Sequence, residues 1–316
     1  MIVHADATHP PALSVVVVVF DGGRSIKRML EALNRQDGLD EPVEIIVAMS
    51  AGMVNEQTVH SGAPSARLVR GRAAAHPSEL RALGVRLAAA PIVVCTEDHC
   101  IPTRDWCARI IRAHREAPVV IGGAIDKLRP DRATAWAAYL LEYGRFMPPL
   151  AGGPVSYLSD CNVSYKRSAL DEIVDEWRDA FHETRVHDVI RQRAGDAAIV
   201  LDPLIVVLQS RRPRLGAFLA ERFAHGRLFA RLRAANFKTS ERLLYAVAAL
   251  GLSPVLVARA LKHAWRGSAR MSSLRALPVL IPAACSWALG ETVGALTAAH
   301  GPAPAVASND GGETSS

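Results

Sequence analysis

The sequence predicts an α/β fold built on a doubly wound, mostly parallel sheet, followed by amphipathic and apolar helices. Three observations carry that expectation. Leu13 to Phe20 is a near-continuous β-branched run, the pattern of a central parallel strand buried on both faces. Strand-like runs then alternate with helix-like segments, as βαβ units require. Finally, the apolar run Ile92 to Cys95 stops abruptly at Glu97-Asp98-His99. In open α/β sheets, ligands bind beyond the carboxyl ends of such strands.

In order along the chain, residues 1–12 read as a flexible tail and Leu13 to Phe20 as the first strand. The turn Asp21-Gly-Gly-Arg-Ser25 lets a ligand approach the backbone closely, and Ser25 can cap a helix over Ile26 to Asn34. It is neither a dinucleotide nor a P-loop fingerprint. Pro42 to Ala48 is a second strand and Ala66 to Val69 a third, followed by a helix from about Ser78 to Ala89. After Glu97-Asp98-His99, Pro102 and Asp105-Trp106 open a helix to about Arg115, and Val119 to Ile125 is a strand. Arg132 to Met147 reads as helix. Leu158 to Arg167 packs polar side chains together, and Glu183 to Gly195 is a helix with glycine just past its end. Ala197 to Leu201 and Leu204 to Leu208 are expected as two final strands.

Bulk properties narrow the function classes. The 316 residues carry a net charge of +6, with the basic excess between Arg211 and Arg275. This favours an anionic partner. Only 5% of residues are aromatic, and the basic segments lack the interleaved stacking side chains of a nucleic-acid binder. Five cysteines without a CxxC pair argue against a disulfide framework or zinc ribbon. The N-terminus has no basic and apolar leader pattern, so no signal peptide is expected. Asn162-Val-Ser164 matches a glycosylation sequon, read here as chance.

Glu97, Asp98 and His99 form a group able to hold a divalent cation. Carboxylates suit Mg²⁺ or Mn²⁺, and the imidazole shifts the preference toward Mn²⁺ or another transition ion. The same residues would also serve as a solvated acidic turn. Glu183 and His187 lie four apart on one helix face. His182, Glu183 and His187 do not make a zincin motif, because those histidines are five apart. No G-x-S-x-G elbow supports serine hydrolase chemistry.

With these residues in place, the chain resembles a family-2 glycosyltransferase over residues 13–210. Val15 to Gly22 stands at the family's first strand and turn, and Arg81-Ala-Leu-Gly84 at its Ala-Arg-Asn-x-Gly helix. Glu97-Asp98-His99 occupies the D-x-D position, Ser159 to Arg167 resembles the acceptor segment, and Glu183 to Gly195 has the spacing of the catalytic helix. The resemblance implies the GT-A fold, a Rossmann-like nucleotide-diphospho-sugar transferase architecture, and inverting transfer to a glycan hydroxyl. By position, Glu97 and His99 become metal ligands for Mn²⁺ or Mg²⁺, and Glu183 the general base. Phe20, Asp21, Arg81 and Asp98 fall near the nucleotide-sugar, while Asp160, Asn162 and His187 become acceptor or sugar contacts. Three departures stand out: Met49 or Ser50 replaces the uridine-binding Asp, Glu97-Asp98-His99 puts a histidine at the second D-x-D acid, and Thr184 replaces the second acid of the catalytic pair.

Beyond residue 210, Arg222, His225 and Arg227 match a segment that closes over the donor diphosphate in the family. An amphipathic basic helix on anionic lipid is the other reading. Two apolar blocks, Leu243 to Ala258 and Ala276 to Ala299, flank a connector rich in Arg and Lys. A spanning hairpin would put that connector opposite the catalytic domain, against the positive-inside tendency. Residues 211–300 are therefore expected to lie on an anionic membrane surface, at the cytoplasmic face of the inner membrane, as a peripheral or monotopic region. The acceptor would be lipid-linked, as in polysaccharide assembly. A soluble helical pair that forms a homodimer is the alternative, and residues 301–316 are expected to be disordered. The competing function is a catalytically inactive GT-A-like nucleotide-binding or scaffold protein.

Overall fold

The computed structural model describes residues 10–20, 22–115, 118–128, 132–267 and 269–298. Asp21, most of the N-terminal tail and residues 301–316 lie outside them. Residues up to 128 and 148–210 form one unit, and residues 129–147 with those from 211 onward form a second.

The first unit is organised on β1 (Leu13–Val18), buried at every position because its residues are apolar or small. Next come α1 (Ile26–Asn34), β2 (Val43–Ser50), α2 (Glu56–Gly62), β3 (Arg67–Gly71), α3 (Pro77–Leu87) and β4 (Ile92–Glu97). They are followed by β5 (Cys100–Pro102), α4 (Trp106–His114) and β6 (Val120–Lys127). The chain then contributes α5 (Ala133–Glu142) to the second unit before returning with β7 (Gly153–Pro154) and β8 (Asn162–Lys166). The unit closes with α6 (Arg167–Asp171), α7 (Val174–Trp177), α8 (Glu183–Ala194) and β9 (Ile199–Gln209).

The strand order is β3-β2-β1-β4-β8-β6-β9-β5, with β7 also on β9. Among the described strands, β1, β2, β3, β4, β6 and β9 run one way and β5, β7 and β8 the other. The sheet is thus mostly parallel with antiparallel insertions. The two expected final strands are one, β9, whose register against β6 shifts between Gly123 and Ala124. That shift is a bulge in the sense of an irregular ladder position.

Two local features set the site's position. The α3 helix starts with Pro77 at its first turn, and a capping box joins His76 and Glu79. A Cβ at Gly84 would sit 2.4 Å from Val16 Cγ1, so glycine lets α3 lie directly on β1 and sets Arg81, one turn earlier, at the strand ends. The parallel register places Val18 beside Glu97, and the Asp98 N–H donates to the Val18 carbonyl at 3.0 Å.

The second unit contains α5, α9 (Leu215–Arg233), α10 (Thr239–Leu250), α11 (Leu252–Arg266) and α12 (Arg270–Leu296). The expected basic connector is helical apart from the break around Gly267, because α11 and α12 extend into it. Pro278 and Pro282 do not end α12. The α9–α12 seam is made by glycine: a Cβ at Gly290 would lie 2.2 Å from the Phe223 carbonyl oxygen, and one at Gly294 2.2 Å from that of Arg227. Glu291 is buried on α12 and accepts from Trp287 Nε1 at 2.5 Å and from the Tyr245 hydroxyl.

Candidate active site

At the carboxyl end of β4, the Arg81 guanidinium is 2% exposed and faces three carboxylates. Its Nη2 lies 2.5 Å from Asp160 Oδ2 and 3.4 Å from Glu97 Oε1, and its Nη1 lies 3.9 Å from Glu183 Oε2. Nη1 also donates to the Phe181 carbonyl at 3.4 Å. Burial works against the charge on Arg81, but Asp160, Glu183 and Glu97 outweigh it and hold its pKa above the ordinary value. Four of the expected site residues, from α3, β4, the loop before β8 and the start of α8, are therefore in one cluster.

Glu183 is fully buried, and burial, reinforced by Asp160, pushes its pKa up to about 8. Its Oε1 accepts from the Tyr157 hydroxyl at 3.2 Å. Among the described residues its Oε2 has no hydrogen-bond partner. Burial, then Asp160, likewise lifts Glu97 to about 8. Such shifts mark carboxylates packed together without enough positive charge.

His99 joins the cluster from the other side. Its Nε2 is 3.5 Å from Glu97 Oε2 and its Nδ1 3.5 Å from Asp98 Oδ1. Asp98 accepts the Phe20 N–H at 3.1 Å, and the Phe20 and His99 rings are 5.9 Å apart. Cys161 Sγ donates to Glu97 Oε2 at 3.3 Å. Burial favours the protonated Cys100 thiol, yet bonding with Cys161 and the His99 charge pull it down to about 6.

Two of the expected contacts are engaged within the fold. The Asn162 amide is committed to the fold: its Oδ1 accepts from Trp106 Nε1 at 2.9 Å, and its Nδ2 donates to Ala124 O at 2.9 Å and Ile205 O at 3.0 Å. Those bonds fill the β6–β9 bulge, leaving no donor for a sugar. His187 is buried against Tyr165, whose hydroxyl is 3.0 Å from its Nε2. Burial, then Arg191, lowers its pKa to about 3. A neutral, buried ring holds no phosphate. The Tyr157 ring, whose hydroxyl bonds Glu183, stands edge-on to it at 5.9 Å.

Arg222 and Arg227 belong to the second unit, on α9. Arg222 is buried with its guanidinium 4.2 Å from the centroid of the Trp287 ring, while Arg227 is exposed. Asp21 lies outside the described residues. Sequence reasoning missed Tyr157, Tyr165, Cys100 and Cys161. None carries a local signal, because each is brought in by strand pairing or a loop.

A divalent cation fits this donor set. Glu97, Asp98, Asp160 and Glu183 are all buried within the cluster, against the guanidinium of Arg81 and the imidazole of His99. Glu97 and His99 are close enough to share one ion.

The model of the family described as Glycosyl transferase family 2 matches residues 14–174. No curated protein sequence matches the chain. Among solved structures, the mannosyltransferase PcManGT from Pyrobaculum calidifontis, in complex with GDP-Man and Mn²⁺, is 17% identical. It covers 92% of this chain and 87% of its own, with a TM-score of 0.50. Glucosyl-3-phosphoglycerate synthase from Mycobacterium tuberculosis, with Mn²⁺, UDP and phosphoglyceric acid, is 18% identical over 68% of this chain and 74% of its own, TM-score 0.45. TarS from S. aureus is 12% identical over 83% and 54%, TM-score 0.44.

Proposed function

The chain belongs to glycosyl transferase family 2, and from that premise we propose that it moves a sugar, with inversion, from a nucleotide-diphosphate-sugar to an acceptor hydroxyl. The observation that carries this reading is the convergence of Glu97, Asp160 and Glu183 on Arg81 at the carboxyl edge of the sheet.

In this reading Glu183 is the general base. Tyr157 fixes one of its oxygens, and the other accepts the acceptor's proton as the new C–O bond forms and the bond to the diphosphate breaks. A raised pKa makes it the stronger base. Arg81 is a positioning residue, since its nitrogens are turned to carboxylates. Asp160 is the remaining candidate for a sugar or acceptor contact. Asp98 ties the His99 turn to Phe20 and so shapes the donor side. Glu97 and His99 would hold a divalent ion, which when bound supplies positive charge to the leaving diphosphate. GDP-Man and Mn²⁺ in the P. calidifontis mannosyltransferase support a donor and ion of this class.

The second unit supports a membrane-facing role. Leu243, Leu244, Val247 and Leu250 are 53–72% exposed along one face of α10. By length and composition α12 is long and apolar enough to cross a membrane, although more than half of its apolar stretch is buried. We place this region on the anionic cytoplasmic leaflet, with Arg259, Lys262, Arg270 and Arg275 near headgroups and a lipid-linked glycan as acceptor.

One observation favours a non-catalytic nucleotide-binding or scaffold role instead. At the place of the family's uridine-binding Asp, Met49 is buried, and Ser50 is spent on the Ala75 carbonyl at 3.3 Å. Titrating the full chain with UDP, GDP and dTDP, with and without Mn²⁺, tests both readings. Metal-dependent binding of one nucleotide, lost in Glu97→Ala/His99→Ala, supports the transferase. Binding of none sinks it.

A further inference from the structure

Two thiols that the chain's spacing keeps apart meet at the end of β4. The antiparallel β4–β8 register pairs Thr96 with Asn162, so Glu97 and Cys161 face each other just past the ladder. The turn at Asp98 and His99 then brings in Cys100, the first residue of β5. One ligand atom each from His99, Cys100 and Cys161 lies within 4.8 Å of the other two, and all three residues are buried. Glu97 Oε2 closes the figure, 3.3 Å from Cys161 Sγ and 3.5 Å from His99 Nε2.

The two Glu97 contacts have the spacing of metal ligands. Metal–sulfur bonds of about 2.3 Å and metal–nitrogen or –oxygen bonds of about 2.0–2.1 Å put tetrahedral ligands roughly 3.3–3.8 Å apart. The carboxylate side of the cluster is already served by a cation, since Arg81 sits on Asp160 and on the other Glu97 oxygen. Thiolates select zinc and similar soft or borderline ions over Mg²⁺.

We propose that His99, Cys100 and Cys161, with Glu97 beside them, form a thiolate-containing site for a transition ion, zinc in the first place. The inference rests on the reading of Glu97 and His99 as metal ligands and names the class of ion they serve. It adds thiolate sulfur to a site read above as one carboxylate and one imidazole.

Cobalt(II) is the probe. The full chain is reduced with a phosphine, stripped with a chelator and titrated with Co²⁺ while its absorption spectrum is recorded. The expected result is equimolar uptake with a thiolate-to-cobalt charge-transfer band in the near ultraviolet and intense tetrahedral visible bands. Zinc should then displace the cobalt and abolish both. Cys161→Ser and Cys100→Ser, checked for folding by circular dichroism, should each weaken the charge-transfer band and lose retained zinc. Cobalt bound with only weak octahedral bands, or no uptake by the wild-type chain, overturns the proposal whether or not the variants fold. Nucleotide binding, measured separately, distinguishes the two failures. Mn²⁺-dependent nucleotide binding without a thiolate band leaves the transferase reading standing and removes this one. A thiolate band without nucleotide binding does the reverse.

Discussion

Arg81 Nη2 and Asp160 Oδ2 are 2.5 Å apart across 79 residues of sequence, and both side chains are buried. This pair joins the helix on β1 to the loop entering β8, and the other carboxylates gather around it. Replacing Arg81 with Ala leaves three buried carboxylates uncompensated. The expected cost is about 3–5 kcal/mol in urea or thermal unfolding. Arg81→Lys should recover only part, because a single ammonium cannot reproduce the guanidinium fork. Equal stability of Arg81→Ala and wild type would remove Arg81 from the centre of the site.

Glu183→Gln keeps the shape and removes the base. Turnover should fall by about 10²–10⁴-fold, while nucleotide binding by calorimetry stays unchanged. In the wild type, activity should climb with pH along a limb near 8, since the base works deprotonated. Full activity of the variant would exclude Glu183 as the base.

Stability of the metal-free protein should fall as pH rises from 6.5 through 8. Burial, then Asp160, raises Glu97 and Glu183 from 4.5 to about 8, so the folded state binds their protons more tightly. Their stabilisation is complete below the unfolded value and lost as pH climbs through the folded one. His114 and His187 act in the opposite window. Burial lowers them from 6.5 to about 4 and about 3, so their contribution is present above 6.5 and fades on acidification. The melting temperature in chelator should decline above pH 6.5, less steeply in Glu183→Gln. A flat or rising profile there would contradict the assignment.

In the second unit, Gly290→Val should destabilise by about 1–3 kcal/mol, because its side chain meets the Phe223 backbone, which cannot rotate away. Gly216→Ala on the same α9 meets nothing within 4 Å and serves as the neutral comparison. Thermal unfolding of the two variants decides this, and equal melting temperatures would mean that the helices separate easily.

The exposed α10 face gives a membrane test. Leu244→Glu with Val247→Glu removes two apolar side chains, each contributing about 1.5–3 kcal/mol when buried. Co-sedimentation with anionic vesicles should drop by about tenfold or more. Unchanged co-sedimentation would separate the apolar helices from any lipid role.

Local pattern revealed much of this molecule. The β-branched run of β1, the Ile26–Asn34 helix and the stop of β4 at Glu97 are each written in a few adjacent residues. Glu97 and Glu183 stand at element ends, where a polar residue interrupts an apolar pattern, whereas Arg81 lies inside α3 and was singled out through the family's helix pattern. Pairing was not legible. Cys161 reaches Glu97 only through the β4–β8 register, and Asn162 is drawn into the β6–β9 bulge by carbonyls that no local pattern announces. The grouping of α5 with helices beyond residue 210 is likewise a long-range packing choice.

The Arg81–Asp160 pair also bears on synthesis of the chain. During translation the ribosome releases Arg81 and Glu97 well before Asp160, and Glu183 later still. Until those acids emerge, Arg81 has only Glu97 of its three carboxylate partners. Chains that terminate before α8 lack Glu183 and leave Arg81 without that partner.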